Sequence, residues 1–241
     1  MLETAEIIPL TGALCAEVSG VQLADLVKRN DNSNAEQLFQ MLVENKVLVF
    51  RDQNPAPQTH VDVAKLIGDL APSVPMYPKV AGYEDTIIIC NDDDNPPKNE
   101  VWHADITYRD VPIFASVLQG VHIPQVGGDT LWVDMVAVVE GLSAPMRQFL
   151  TRLTARHTIQ KGFSFVNEND QNDRTAKLAE TINWEKATNH PVLQKDPVPG
   201  AETLFVNAAF IEAINELAAD ESDAMLRHFY SRIENPRYQC S

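Results

Sequence analysis

Two uninterrupted apolar runs of strand length, Val47-Leu48-Val49-Phe50 and Thr86-Ile87-Ile88-Ile89-Cys90, constrain this chain most. Short runs that are apolar on both faces and rich in β-branched residues predict strands buried in the middle of a sheet. Helices are predicted around them. Ser33-Asn34-Ala35-Glu36 reads as a capping box, and Ala35, Leu38, Phe39 and Leu42 then recur at helical spacing along one face. Thr59 predicts the start of a second helix, with Val63, Leu66, Ile67 and Leu70 on its buried stripe. The middle third predicts short strands over 115–121, 130–133 and 153–160, broken by turns. Residues 166–189 are polar and unpatterned and predict an insertion or mobile loop. Leu226, Phe229, Tyr230 and Ile233 predict a last helix that starts at Asp220 and is stopped by Asn235-Pro236, after which Arg237-Tyr238-Gln239-Cys240-Ser241 opens a further strand. No repeat or low-complexity linker divides the chain, so residues 1–241 are read as a single domain.

Charge excludes one class of partner. Against 19 Lys and Arg stand 34 Asp and Glu, a net charge of -15 that repels a phosphate backbone and argues against nucleic acid. A small anionic ligand stays possible, because a few local cations decide a pocket. Cys15, Cys90 and Cys240 form no C-x-x-C pair, which supports neither a zinc knuckle nor a disulfide framework. The opening Met1-Leu2-Glu3-Thr4-Ala5-Glu6 has no basic segment followed by an apolar run, so no signal peptide and no membrane span are expected, and a cytoplasmic setting is the default.

Chemistry enters through two H-x-D pairs, His60-Val61-Asp62 and His103-Ala104-Asp105. The first lies in the opening turn of the second predicted helix, where residues two apart point about 200° away from each other and cannot share an ion. The second stands between Val101-Trp102 and Ile106-Thr107-Tyr108 in a context that predicts extended backbone. There residues two apart face the same side, so one imidazole and one carboxylate converge on one cation. A histidine and a carboxylate with positions left open are the donor set of Fe(II) oxygen chemistry. The competing reading is a simple His103–Asp105 hydrogen bond.

The neighbourhood favours the metal. Asn99-Glu100-Val101-Trp102-His103-Ala104-Asp105 followed by Gly127-Gly128-Asp129-Thr130-Leu131-Trp132 resembles the taurine dioxygenase (TauD/TfdA) family of Fe(II)- and 2-oxoglutarate-dependent dioxygenases. Pro75-Met76-Tyr77-Pro78, Leu204-Phe205-Val206-Asn207 and the pairing of Pro9-Leu10-Thr11-Gly12 with Val18-Ser19-Gly20-Val21 extend the likeness over essentially the whole chain. The resemblance implies a β-rich α+β fold, a double-stranded β-helix of the jelly-roll or cupin kind with flanking helices. It implies Fe(II) held by His103 and Asp105, 2-oxoglutarate as co-substrate with Thr130 donating to one of its carboxylates, and O2 and a small molecule as the other reactants. It also implies a substrate pocket lined by Tyr77, Asn99, Phe163 and Phe205, and a homo-oligomer. Trp102 and Trp132 are read as core.

Two departures qualify what is carried over. Where the taurine enzymes have a histidine that helps bind the sulfonate, this chain has Val74, which donates no hydrogen bond, so a longer alkylsulfonate, a sulfate ester or a carboxylate is expected in place of taurine. The family's last segment carries the third iron ligand, a histidine, with arginines for 2-oxoglutarate and substrate. The match runs out near Gln239, so the β-helix is expected to be incomplete at the C-terminus, with the third ligand absent and exposed apolar surface left behind. His122, His157, His190 and His228 are read as surface or satisfied core histidines, not substitutes for that ligand. The alternative function is a non-catalytic remnant that binds a small anion or pairs with another subunit. A cupin-like isomerase or binding module sharing only the scaffold is a third reading, against which the Gly127–Trp132 segment counts.

Overall fold

The computed structural model describes residues 2–12, 14–29, 32–74, 77–92, 101–162, 186–196 and 200–241. In the N-terminal part, β1 (Glu6–Pro9) and β2 (Ala16–Ser19) form an antiparallel hairpin, and β3 (Leu48–Val49) joins β2 in parallel. Helices α1 (Leu23–Arg29), α2 (Asn32–Asn45) and α3 (Pro57–Ile67) pack against this small sheet. Their shared core is Leu2, Val18, Val21, Leu26, Leu38 and Met41, flanked by Leu48, Phe50, Leu66 and Ile67.

The hairpin of β4 (Lys79–Val80) and β5 (Tyr83–Ile87) follows. Beyond a long segment without strands come β6 (Trp132–Val133), α4 (Met135–Glu140) and α5 (Ala144–Leu150). Next are β7 (Thr154–His157), the short helix α6 (Ile159–Gly162), β8 (Thr188–Pro191), β9 (Leu193–Lys195), β10 (Glu202–Leu204) and β11 (Ile211–Ile214). The chain finishes with α7 (Ala219–Ile233) and β12 (Gln239–Cys240). β7 lies between β11 and β8 in an antiparallel three-stranded sheet, β9 pairs with β10, and β12 pairs with β6. The main core, including Val138, Leu150, Ala155, Val192, Leu204, Ile211, Leu226, Phe229 and Ile233, sits between these strands and the helices α4, α5 and α7.

Several expectations hold. All of Leu226, Phe229 and Ile233 are buried on α7, which stops at Ile233 before Asn235-Pro236, and the final residues do form a strand. His60 and Asp62 do lie within a helix, α3. Trp102 packs against the main core and Trp132 against the small cluster around Cys15 and Cys240.

Other elements differ, each for a local reason. The strands make five small sheets, none closed, so the described residues show a mixed α and β arrangement and not a complete double-stranded β-helix. β3 is at a sheet edge and not its centre. The second apolar run was expected to be central, yet the tight turn at Ala81-Gly82, with Gly82 at φ +83°, closes a hairpin that starts β5 at Tyr83 and leaves Ile88 and Ile89 exposed. Residues 115–121 form no strand. The Val117 carbonyl instead meets His60 Nε2 of α3 at 2.9 Å, and the Gln119 side chain donates to the Pro55 carbonyl. β6 is only two residues long because its partner β12 is. Thr158 ends β7 and turns the chain into α6, its hydroxyl accepting from the Gln160 amide. Helix α3 starts at Pro57 after Ala56, not at Thr59, and α7 starts after Ala218, whose amide donates to Glu221. The expected loop over 166–189 lies mostly outside the described residues, but Thr188 already belongs to β8.

The cysteine reading is corrected as well. Cys15 and Cys240, 225 residues apart, form a disulfide that ties the N-terminal sheet to β12, and Cys90 is left as an exposed thiol. Sequence spacing missed it because the pairing is set by topology alone: β12 runs beside β6 and brings the two cysteines into one cluster with Leu14, Val47 and Trp132. Among the described residues no helix is long and apolar enough to cross a membrane.

Candidate metal centre

His103 and Asp105 sit in irregular backbone that leads into a turn over 105–108, and not in a regular strand. They nevertheless face each other, with His103 Nε2 3.5 Å from Asp105 Oδ1. Two donors each bonded at about 2.1 Å to one ion stand roughly 3.0 to 3.4 Å apart, so the pair stands just beyond the span of shared ligands. His103 Nδ1 lies 2.8 Å from the Val101 carbonyl. A carbonyl only accepts, so Nδ1 carries a hydrogen and Nε2 is the ring nitrogen left facing Asp105. On the carboxylate, Oδ2 accepts from the Ser116 hydroxyl at 3.4 Å, which leaves Oδ1 turned toward the imidazole.

Electrostatics match this geometry. The hydrogen bond to Asp105 holds the His103 imidazole above the ordinary histidine value, although burial opposes it. The same bond, with Ser116 assisting, holds the Asp105 carboxyl below the usual carboxylate value against burial. A proton on Nε2 makes this contact a hydrogen bond. A divalent cation with open coordination positions fits in the proton's place, and an imidazole plus a carboxylate is a donor set that suits Fe(II). Among the described residues no group of three His, Cys, Asp or Glu side chains stands together to hold a metal ion.

The loop that carries the pair is fastened at both ends. Before it, the Trp102 carbonyl accepts from the Ala208 amide at 3.1 Å. After it, Thr107 Oγ1 accepts from Asn207 Nδ2 at 3.1 Å and hydrogen-bonds with His157 Nδ1 at 3.0 Å. Asn207 is itself oriented, since its Oδ1 accepts from the Phe210 amide and its carbonyl accepts from the Tyr230 hydroxyl. Burial pushes that tyrosine hydroxyl up to about 12. The motif Leu204-Phe205-Val206-Asn207 therefore acts through Asn207 as a brace under the loop that carries His103 and Asp105.

The remaining predicted site residues are distributed unevenly. Tyr77 is partly buried with Val74 and Ile106 against Tyr108, Ile159 and Phe210, so its ring belongs to the cluster that Ile106, the residue after Asp105, also joins. Phe205 stacks on His157, ring centres 5.3 Å apart, and meets His190 edge-on at 5.2 Å. Thr130 lies in exposed irregular chain just ahead of β6, and no described contact links it to His103 or Asp105. Asn99 and Phe163 lie outside the described residues.

His157 was read as an ordinary core or surface histidine, and it is fully buried. Burial, with His190 facing it, pushes its imidazole down to about 4, so it is neutral near pH 7. Its place in β7 under the metal loop was not legible from spacing, because Thr107 and His157 are 50 residues apart.

The sequence model of the taurine catabolism dioxygenase TauD, TfdA family matches residues 6–241. The chain belongs to that family. Relatives of this TauD/TfdA chain include an alkylsulfatase of Acinetobacter baylyi, 27% identical, with 94% of this chain and 70% of the relative covered. An alpha-ketoglutarate-dependent sulfate ester dioxygenase of Pseudomonas putida is 28% identical, with 95% of this chain and 76% of the relative covered. The crystal structure of a taurine dioxygenase from Burkholderia xenovorans superposes with a TM-score of 0.77 at 25% identity, over 98% of this chain and 75% of that one. TauD/TfdA proteins are 2-oxoglutarate-dependent dioxygenases, which implies Fe(II) as the metal and 2-oxoglutarate as co-substrate.

Proposed function

We propose that this TauD/TfdA chain oxidises a small anionic substrate, a sulfate ester, sulfonate or carboxylate, at a ferrous centre held by His103 and Asp105. The observation that carries the reading is the convergence of His103 Nε2 and Asp105 Oδ1 at 3.5 Å. When bound, iron and 2-oxoglutarate supply the activation of O2, with 2-oxoglutarate decarboxylated to succinate and the substrate hydroxylated.

The chain's own residues prepare that centre. The Val101 carbonyl fixes the His103 tautomer, and Ser116 turns the Asp105 carboxylate. Thr130 is assigned to a 2-oxoglutarate carboxylate, to which its hydroxyl donates. Tyr77, Asn99, Phe163 and Phe205 are assigned to the substrate pocket. Val74, Tyr77 and Ile106 form one apolar cluster with Tyr108, Ile159 and Phe210, and Ile106 follows Asp105 in sequence. Valine at position 74, together with relatives that bear sulfate ester names, favours an alkyl sulfate ester over taurine. Among the described residues no third His, Cys, Asp or Glu joins the pair, and two donors hold iron less tightly than three.

A second reading, a non-catalytic small-anion-binding or subunit-pairing protein, is favoured by the lack of a third donor among the described residues. Large apolar side chains also stand exposed between Val111 and Leu131, with Val121 87% and Val126 91% exposed. The two readings separate in one assay. The purified chain receives Fe(II), 2-oxoglutarate and a panel of alkyl sulfates, alkylsulfonates and carboxylates, with and without added imidazole as an external third ligand. Succinate formation and O2 uptake that disappear in His103→Ala support the dioxygenase. A chain that binds iron but stays inert with every substrate, imidazole included, supports the second reading.

A further inference from the structure

Asp105 is followed by a strained residue. Ile106 is β-branched and adopts φ +57°, a left-handed conformation such side chains rarely take. Strain of this kind persists only where the surrounding structure imposes it. Here the imposing contacts are visible. One residue on, Thr107 is 1% exposed and held by both His157 and Asn207. Three residues on, the Arg109 carbonyl accepts from His190 Nε2 at 3.0 Å. His157 is on β7 and His190 on β8, cross-strand neighbours in antiparallel register (Ala155↔His190, His157↔Thr188), and their rings meet edge-on at 5.1 Å. The next strand residue on β8 but one, Thr188, donates to Asp110. The back of the metal loop is thus laced to one sheet by two buried histidines.

We propose that His157 and His190 are positioning residues of the metal site: by anchoring Thr107 and Arg109 to the β7–β8 sheet they hold Ile106 in its left-handed turn and so aim the Asp105 carboxylate at His103. This rests on the reading of His103 and Asp105 as metal ligands. Neither histidine touches the ion or the substrate. One ring nitrogen of each is committed to the loop, His157 Nδ1 to Thr107 and His190 Nε2 to Arg109, while His157 Nε2 is buried without a partner among the described residues and the ring packs against Phe205 and His190. The geometry also predicts which substitutes work. An Asn side chain places a polar atom near Nδ1, and a Gln near Nε2. His157→Asn keeps the bond to Thr107, and His190→Gln keeps the donor to Arg109.

The test uses the full chain and Co(II) alone as the probe, with two readouts: Co(II) affinity, and amide hydrogen exchange at 103–109 in the metal-free protein. Expected are a roughly tenfold or larger loss of affinity in His157→Leu, in line with losses seen when groups that orient metal ligands are removed, and faster exchange confined to the loop. His157→Asn and His190→Gln should stay within about threefold of the parent on the same scale. Thr107→Val breaks the same bond from the loop side, should match His157→Leu, and keeps the test open where His157→Leu does not fold. A parent chain that binds Co(II), with Thr107→Val or folded His157→Leu binding it equally well, overturns the positioning role. A parent chain that binds no Co(II), or that binds it undiminished in His103→Ala, overturns the metal reading itself, and the positioning role with it.

Discussion

His103 turns its Nε2 toward Asp105 because Nδ1 is held by the Val101 carbonyl. The other H-x-D pair shows what the same residues do without that arrangement. His60 points its Nε2 at the Val117 carbonyl, and Asp62 accepts from Gln58 one helical turn away. His60→Ala and Asp62→Ala are therefore expected to leave divalent metal affinity at the parent value, whereas His103→Ala and Asp105→Ala each lower it by at least tenfold. Titration calorimetry with Mn(II) reads the difference.

Asp134 is the structural carboxylate of this fold. It is 4% exposed, caps α4 by accepting from the amides of Val136 and Ala137, and pairs with Lys46 at 2.9 Å. Asp134→Ala removes a helix cap and strands a partly buried ammonium. A loss of about 2–4 kcal/mol is expected, and urea unfolding checks it. Asp134→Asn keeps the cap and should lose distinctly less.

His157 predicts the direction of acid sensitivity. Its folded value is pushed down to about 4 from an ordinary 6.5, so between these values the unfolded chain binds the proton and the folded chain does not. Stability from this group is complete above pH 6.5 and is lost as pH falls toward 4, by about 1.4 kcal/mol per pH unit. The groups facing it are His190 from β8, Phe205 and the Thr107 hydroxyl, and none supplies a negative charge to offset protonation. His157→Asn should flatten the slope of unfolding free energy against pH across that window.

What the sequence made legible was periodic or local. The apolar stripes of α3 and α7 are set by helical spacing, and the stop at Asn235-Pro236 by a missing amide donor. The H-x-D pair was legible because two residues with the right donors stand two apart, and the fold needs only to keep them on one side. Residues 115–121 and 88–90 were misread because apolar character alone supplies neither a strand partner nor a covering layer, and Ile88, Ile89, Leu118 and Val121 stand exposed. The metal loop's anchors were invisible for another reason. Thr107 meets His157 and Asn207 across separations of 50 and 100 residues, and Cys15 meets Cys240 across 225, so only the topology brings them together. Thr130, placed by resemblance, stands in exposed chain ahead of β6, and its carboxylate-binding role is carried by the proposal alone.

One imidazole and one carboxylate are proposed to share a single ferrous ion, and anaerobic titration of the purified chain with Fe(II) checks that sharing. One ion per chain is expected, with affinity lowered at least tenfold both by His103→Ala and by Asp105→Ala. Binding that survives either substitution at the parent affinity would contradict it.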